Sequence, residues 1–487
     1  MKDYDESTAF LGQWGRFQQV VFFLLSASIV PNGLGAFSVV FLTDIPRHHC
    51  LIPEENLTQD WRDAIIPIEV VNGKREQSRC SRYRLDVVRN LSAQGFIPGR
   101  DVNLTDLEQE GCVDGWSYSK DIYQSTLVSE FDLVCSDQWK PPFTSTAFFL
   151  GFLVGSFISG QLSDRFGRKP VFFTTMAVQT TFSFCQAFSP SWTVFTILIF
   201  FNGLGQISNY VSGFVLGTEI LTGDVRVIFS SMGVCLGYAI GYMILPLVAF
   251  FLRDWKSLLL AISLPGVLYI PLWWFIPESP RWLLSQGRVE EAEAIVRKAA
   301  KTNRVEAPTV IFKDYSAQDD DPQEHLNVIS LVKTQSVRST TVILCLVWFS
   351  LSIGYYGLSL NTSRLHANPY ISCFLSAAAE VPAYMSCWLA LKYFPRRLSV
   401  IFILLLGGVS LFLIQLVPER ESFEYLPYII LGTLAVVSAF AALYLPESFG
   451  KPLPQTIQQM QKRESMKCPC ITRKEHLKPV VHLESRL

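Results

Sequence analysis

Charged side chains are scarce in this sequence, and their scarcity excludes several classes of protein. Asp, Glu, Lys and Arg make up 17% of the 487 residues, whereas soluble domains average about 25%. The formal net charge of −1 offers no bulk positive charge to a nucleic acid. The six histidines are scattered, and no nucleophile–base motif or metal-ligand spacing accompanies them. We therefore expect no enzyme, no metal site, no bound cofactor and no nucleic-acid partner.

The sequence is instead rich in long apolar runs. Hydrophobic residues make up 49% of the chain, and many of them fall in runs of about 20 residues, the length that crosses a bilayer as a helix. The first run is too long for the apolar part of a cleaved signal, so we expect it to stay as a span. The sequence predicts an all-α membrane protein with about ten spans, at 17–42, 142–161, 170–188, 193–217, 228–252, 257–276, 339–360, 369–393, 398–417 and 425–445.

A polar insert at 43–140 separates the first two spans. It contains three glycosylation sequons and four of the eleven cysteines, namely Asn56, Asn90, Asn103, Cys50, Cys80, Cys112 and Cys135. Glycans and disulfides both form on the oxidising side of the membrane, so we predict an extracellular, glycosylated and disulfide-bonded loop. Four cysteines allow three pairings, and the sequence leaves the pairing open. Unmodified sequons in a reduced loop are the alternative.

The stretch Gly160–Lys169 fixes the orientation. Its charged residues are Asp164, Arg165, Arg168 and Lys169, and positive charge in short loops marks the cytoplasmic side. With the insert outside, both termini are predicted to be cytoplasmic. The basic loop after the sixth span then lies inside as well, and its stretch 288–301 has the spacing of an amphipathic helix lying against the cytoplasmic face. The predicted organisation is a cytoplasmic N-terminus (1–16), a six-helix half (17–276), a central loop (277–338), a shorter half (339–445) and a cytoplasmic tail (446–487).

Two short patterns occur twice. Pro277-Glu278-Ser279 closes the sixth span and Pro446-Glu447-Ser448 closes the last one, while Leu391–Arg397 resembles a degraded copy of the stretch at Gly160. The first half has six spans before its Pro-Glu-Ser and the second has four. We therefore predict that a pair of spans is missing between about 418 and 425. A splice variant and an incomplete gene model would both produce this gap.

The pattern G-x-L-x-D-R-x-G-R-K at 160–169 resembles the signature loop of the major facilitator transporters. Further stretches resemble the organic cation/carnitine transporters of solute carrier family 22, namely Asp3–Glu6, Ser26–Gly33, Cys80–Arg84, Gln206–Tyr210, Leu216–Glu219, Trp273–Trp282 and Glu380–Tyr384. The resemblance implies a major facilitator fold of two helical halves, six plus four spans here instead of twelve. It also implies a plasma-membrane carrier that transports carnitine, often with Na⁺, and organic cations such as tetraethylammonium, by alternating access.

Glu380 is the most informative candidate for substrate binding, because a carboxylate within an apolar run is costly unless it faces the bundle interior. A quaternary ammonium also needs aromatic faces. The full set of substrate candidates is Asn32, Asn209, Tyr210, Tyr355, Tyr356, Glu380 and Tyr384. Asn32, Gln179 and Gln206 are candidates for coupling Na⁺. The alternatives are a structural pair for Glu380, ordinary packing for the tyrosines, and hydrogen bonds between helices for the amides.

Charged residues at the predicted cytoplasmic ends of the spans are candidates for gating. They are Asp164, Arg165, Arg168, Lys169, Glu219 and Arg281. In major facilitators such charges hold the two halves together, and the alternative is that they only determine topology.

The missing pair of spans matters for function. The resemblance implies that in the carnitine subgroup the eleventh helix supplies an arginine suited to a carboxylate. Apart from Lys392, at the end of the span 369–393, no arginine or lysine lies within the remaining apolar spans to replace it. A second hypothesis is therefore a chain that does not transport. Such a chain would be retained in the endoplasmic reticulum or would modulate a full-length transporter by association, and a homo-oligomer is also open.

Overall fold

The computed structural model describes residues 4–53, 57–71, 74–312, 335–360, 368–413 and 426–447. The chain divides into two compact units, one of residues 1–321 with 358–388 and one of residues 322–357 with 389–487. The α-helices are α1 Tyr4–Ser7, α2 Arg16–Ser28, α3 Val30–Ala36, α4 Ser38–Leu42, α5 Gln59–Ala64, α6 Leu85–Ala93, α7 Leu127–Glu130, α8 Lys140–Phe166, α9 Arg168–Gln186, α10 Trp192–Ile220, α11 Gly223–Ile228, α12 Val234–Phe251, α13 Trp255–Leu268, α14 Pro280–Ser285, α15 Val289–Asn303, α16 Gln335–Leu360, α17 Pro369–Tyr393, α18 Arg396–Leu413 and α19 Leu426–Ala442.

Each of the ten apolar runs predicted as spans is mainly helical in its described part. Among the described residues, eight segments are long and apolar enough to cross a membrane, namely Arg16–Leu42, Cys135–Phe166, Trp192–Ile220, Gly223–Phe251, Trp255–Trp274, Val337–Leu360, Pro369–Tyr393 and Arg396–Leu413. The other two predicted spans are α9, whose 19 residues include several polar ones, and α19, which has 17 residues. The prediction of an all-α membrane protein is confirmed.

The charged stretch at Gly160 differs from the expected loop. Helix α8 continues through Phe166 and α9 starts at Arg168, so Gly167 alone makes the turn. Its φ of 105° lies in a region that side chains disfavour. No residue between Gly160 and Phe166 breaks a helix, which is why most of the stretch is helical and only the glycine bends the chain.

The largest helical contact in the larger unit joins α10 to α8. A Cβ on Gly151 would lie 2.1 Å from the carbonyl oxygen of Phe200, and one on Gly203 would lie 2.4 Å from that of Phe148. Glycine at these two positions therefore lets the helix backbones touch. Helix α10 is thus held against α8 and α9, with its polar residues turned into the unit.

The insert is a small, separately folded layer with three antiparallel strand pairs. β1 (His48–Cys50) pairs with β6 (Trp116–Tyr118), β2 (Ile68–Val71) with β3 (Lys74–Gln77), and β4 (Ser81–Tyr83) with β5 (Gln109–Gly111). Disulfides join Cys50 to Cys112 and Cys80 to Cys135, which decides among the three pairings that the sequence left open. Asn90 and Asn103 are exposed, whereas Asn56 lies outside the described residues.

The helix predicted at 288–301 forms as α15, but its apolar face is covered by protein. Ala292, Val296 and Ala299 are buried in a core shared with α14 and with the N-terminal segment that includes Tyr4 and Leu11. Asn303, at its last position, accepts a hydrogen bond from the N–H of Phe17 at 2.8 Å. Since Phe17 is in the first turn of α2, the central segment is fixed to the start of the first span.

Candidate functional site

Glu380 and Tyr384 lie one turn apart on α17, within the larger unit. The hydroxyl of Tyr384 donates to Oε2 of Glu380 at 3.1 Å. Cys235 of α12 and Tyr210 of α10 lie within electrostatic range of this pair. The sequence-predicted trio of Glu380, Tyr384 and Tyr210 is therefore brought together at one place.

Aromatic rings continue from this carboxylate across the larger unit. Tyr210 meets Tyr238 edge-on with ring centroids 6.4 Å apart, and Tyr238 meets Phe37 at the same distance. Phe37, between α3 and α4, stacks on Tyr242 at 4.2 Å. We call Phe37, Tyr210, Tyr238, Tyr242 and Tyr384 the aromatic cluster. Of these rings, that of Tyr384 contacts the carboxylate directly, whereas Phe37 and Tyr242 are fully buried. A carboxylate with an aromatic ring beside it is an arrangement that attracts an organic cation.

Two members of this cluster could have been found from the sequence. Tyr238 and Tyr242 are four residues apart in α12, so they share one helix face. Phe37 gave no signal, because it lies at a break between helices that the apolar run conceals. Tyr355 and Tyr356, by contrast, belong to the smaller unit. Their rings meet edge-on at 5.1 Å, and their proposed contact with substrate stays a prediction.

The buried amides form a chain of hydrogen bonds between helices. Asn32 Nδ2 donates to Asn209 Oδ1 at 3.2 Å, Asn209 Nδ2 donates to the carbonyl of Phe172 at 3.0 Å, and Gln206 Nε2 donates to the carbonyl of Asn32. These bonds join α3, α10 and α9. Among the described residues, Asn32 Oδ1 and Gln206 Oε1 are buried acceptors without a hydrogen-bond partner. Gln179 is buried on α9, where its backbone faces Gly205 of α10.

A network of charges occupies the ends of α8, α9 and α10. Arg168 donates through Nη1 to Asp164 Oδ1 at 2.5 Å and through Nη2 to Glu219 Oε1 at 3.0 Å. The side chains of Arg168 and Glu219 are 12% and 16% exposed, whereas that of Asp164 is 72% exposed. The hydroxyl of Ser279 donates to the other oxygen of Glu219 at 2.6 Å. The predicted gating residues Asp164, Arg168 and Glu219 thus form one cluster, and Ser279 is a member that the sequence did not reveal.

Glu278 fixes the turn at Gly167. Its Oε1 accepts backbone N–H groups from Arg168 at 3.0 Å, Lys169 at 3.0 Å and Ser279 at 2.9 Å. Burial raises the pKa of the Glu278 carboxyl, and the three N–H groups and Lys169 offset only part of this effect. A carboxylate at the N-terminus of α9 is also stabilised by the helix dipole.

The remaining gating candidates lie beside this network. Lys169 places its Nζ 4.7 Å from the ring centre of Trp273. Arg165 is exposed, with its guanidinium over the ring of Phe166. Arg281 lies over the ring of Tyr4 and 4.0 Å from Asp5, which makes a closer pair with Arg226 at 2.8 Å.

The smaller unit repeats the arrangement at Glu278. Glu447 accepts the backbone N–H groups of Arg396 and Arg397, each at 3.2 Å, through its two carboxylate oxygens. Arg396 is the first residue of α18, as Arg168 is of α9. The internal repeat predicted from the two Pro-Glu-Ser patterns is therefore present in the backbone geometry of both units.

Comparison with known proteins identifies the family. The chain is 48% identical to the organic cation/carnitine transporter 2 of Rattus norvegicus, over 96% of this chain and 95% of the rat protein. It is 47% identical to solute carrier family 22 member 4 of Mus musculus, over 96% of each. This chain belongs to solute carrier family 22. The family profile described as "Sugar (and other) transporter" also matches residues 140–443. These relatives are named as transporters or solute carriers and not as enzymes.

The fold agrees with this family. The proton:xylose symporter XylE bound to 6-bromo-6-deoxy-D-glucose, a major facilitator, matches with a TM-score of 0.51 at 14% identity, over 88% of this chain and 79% of XylE. The alignment with the rat relative extends over 532 positions, against 487 residues in this chain. The rat protein therefore has at least 45 residues without a counterpart in this solute carrier, in agreement with a missing pair of spans.

Proposed function

We propose that this chain carries organic cations and zwitterions, carnitine foremost, across the plasma membrane by alternating access. The observation that supports this most is the carboxylate of Glu380, which lies within an apolar span beside the aromatic cluster. An ionised carboxylate at membrane depth costs about 2.5–3.5 kcal/mol or more. A trimethylammonium group bound there would offset that cost and would gain about 0.5–2 kcal/mol from ring faces.

The carboxylate of a zwitterion needs a separate partner, since the family's arginine falls in the missing segment. The buried amides of Asn32, Asn209 and Gln206 are the polar groups in the larger unit that suit this role. We also propose Na⁺ as a co-transported ion. The side-chain oxygens of Asn32 and Gln206, which have no hydrogen-bond partner in the part of the chain that the structure describes, support this, because Na⁺ is a hard cation that prefers oxygen ligands. Gln179 is a further candidate for coordinating Na⁺.

The orientation proposed for the carrier places the insert outside and both termini in the cytoplasm. Its two disulfides are typical of an oxidising compartment. The basic residues Arg165, Arg168 and Lys169 then face the cytoplasm, as the distribution of positive charge requires. Glycans on Asn56, Asn90 and Asn103 belong to the same proposal.

A second candidate function is a chain that does not transport but associates with a full-length transporter or stays in the endoplasmic reticulum. The shortfall of at least 45 residues against the rat relative favours it. Losing two spans would expose to lipid some polar groups that the full bundle covers, which is costly.

One experiment separates the two functions. The chain is expressed in cells, surface-exposed protein is labelled with an impermeant reagent, and its glycans are tested for resistance to endoglycosidase H. Uptake of labelled tetraethylammonium and carnitine is measured with and without Na⁺, relative to surface protein. A carrier gives mature glycans and saturable uptake. Endoglycosidase-sensitive glycans without surface protein would support the second candidate.

A further inference from the structure

Tyr370 occupies a junction at the insert end of the larger unit. It lies in the first turn of α17 and is 7% exposed. Its ring stacks on Phe41 of α4 with centroids 5.5 Å apart and planes 12° apart. It meets Phe250 of α12 edge-on at 5.6 Å. One tyrosine therefore contacts the ends of the first and fifth spans at once.

The same tyrosine is bonded to the insert. Its hydroxyl donates to the carbonyl of Ile122 at 3.0 Å, and its ring lies 5.9 Å from that of Tyr123. Tyr123 in turn donates to Asp44 at 2.7 Å, directly after α4. Tyr370 thus links α17 to the insert through Ile122 and to the first span through Phe41, and the insert is itself bonded to the end of the first span through Tyr123 and Asp44.

The part of the insert next to Tyr370 is bonded to the first half by contacts that do not involve Tyr370. The N–H of Gln124 donates to the carbonyl of Arg253 at 3.0 Å, the hydroxyl of Ser125 donates to Asp254, and Lys256 pairs with Glu130 at 2.7 Å. These contacts tie insert residues 124–130 to the start of the sixth span. The insert and the first half are therefore one body at this end, and α17 is the element that joins it from the second repeat.

We propose that Tyr370 acts as a latch, meaning that its contacts hold the extracellular entrance of the carrier closed. We call this entrance the outer gate. This inference rests on the proposed function, because alternating access moves the second repeat against the first. The start of α17 must then leave Phe41, Phe250 and Ile122 whenever the carrier opens outward. Tyr370 stabilises the state closed to the outside, through two aromatic contacts and one neutral hydrogen bond. This latch differs in kind from the charge network at Arg168, which is built from ion pairs.

The test uses Cys235 as a reporter, since it lies one turn before Tyr238 of the aromatic cluster on α12, and we expect it to be reached from outside only when the outer gate opens. The purified chain is placed in sealed liposomes, and the fraction of molecules with an outward insert is measured on a separate sample by cleavage of the insert with external protease. Modification of Cys235 by an impermeant maleimide is then followed by mass spectrometry. Tyr370→Ala is expected to speed this modification about ten-fold, since it removes both aromatic contacts. Tyr370→Phe keeps the rings, loses the bond to Ile122, and gives a smaller increase.

Two controls make the result decisive. Phe251→Ala changes a neighbouring, 80% exposed ring and is expected to leave the modification rate unchanged. In Phe41→Cys/Tyr370→Cys, oxidation joins the two positions and is expected to block modification of Cys235 until reductant is added. Unchanged labelling of Tyr370→Ala with no cross-link in the double variant would overturn the latch. Faster labelling without any tetraethylammonium uptake would leave the latch in place and count against the proposed function alone.

Discussion

Glu278 binds the backbone of Arg168 across 110 residues of sequence, with Oε1 3.0 Å from the nitrogen. The carboxylate that follows the sixth span thereby caps the first turn of the third, where helix N–H groups lack partners of their own. Glu447 caps α18 in the same way. In each repeat, the carboxylate after the last span therefore caps the start of the third span. A movement at one of these helix ends displaces the other.

The ion pair between Arg168 and Glu219 is expected to control the transport rate. Arg168→Ala would leave Glu219 without its partner in a largely buried position, which costs about 3–5 kcal/mol. We expect a severe loss of uptake at equal surface expression, and partial recovery in the charge-swapped double variant Arg168→Glu/Glu219→Arg. Arg165→Ala is the matched control, because Arg165 is exposed and surface changes cost at most about 0.5 kcal/mol. Equal losses in Arg165→Ala and Arg168→Ala would contradict a role for the pair.

Glu278 is expected to make the stability of the protein depend on pH. Burial raises the pKa of its carboxyl above the ordinary value, so its contribution to stability is present below that ordinary value and is lost as pH rises through the raised pKa. Glu278→Gln removes this titration. We therefore expect the Tm of the wild type in detergent to fall more steeply than that of Glu278→Gln as the pH rises above the ordinary carboxyl pKa of 4.5. Parallel curves for the two proteins would count against a raised pKa of Glu278.

Glu380 is expected to determine the affinity for organic cations. Glu380→Gln keeps the shape and the bond from Tyr384 but removes the negative charge. We expect the KM for tetraethylammonium to rise about ten-fold, equivalent to about 1.4 kcal/mol, and Tyr384→Phe to cause a smaller rise because the charge stays. Competition by a neutral analogue serves as the control, since it should not respond to Glu380→Gln. A KM that is unchanged in both variants would show that the cation binds elsewhere.

Each disulfide of the insert is expected to be needed for folding. Removing a native disulfide from a small extracellular domain costs about 2–5 kcal/mol. The double variants Cys50→Ser/Cys112→Ser and Cys80→Ser/Cys135→Ser should therefore lower surface expression, whereas Cys185→Ser, at an exposed free thiol, should not. Non-reducing peptide mapping of the wild type measures the pairing directly. Fragments that link Cys50 to Cys80 or to Cys135 would contradict the fold of the insert.

Much of the fold could be predicted from the sequence, because the membrane leaves few structures open to an apolar segment. A run of about 20 apolar residues has few alternatives to a helix, and the duplicated Pro-Glu-Ser pattern reports the repeat. The cap made by Glu278 could not be predicted from the sequence, because its partners lie 109 and 110 residues away. No local pattern marks a carboxylate as a helix cap at that distance. The disulfide pairing was hidden for the same reason.

The candidate site was predictable only in part. Glu380 is conspicuous because its charge is out of place in an apolar span, and it drew attention to Tyr384 one turn away. Which other tyrosines join them depends on how each helix is rotated about its axis. Tyr238 and Tyr242 point into the aromatic cluster, whereas Tyr355 and Tyr356 belong to the smaller unit. The sequence analysis selected Tyr355 and Tyr356 as candidates and did not select Tyr238 or Tyr242.

Uptake of labelled tetraethylammonium at verified surface levels tests the central claim most directly. We predict saturable uptake by the wild type that is strongly reduced in Glu380→Gln and preserved in Arg165→Ala. Uptake of carnitine alongside it would show that the buried amides suffice for the carboxylate without the missing arginine. No uptake of either compound by protein that has reached the cell surface would contradict the account and leave the chain a relative of carriers that does not itself transport.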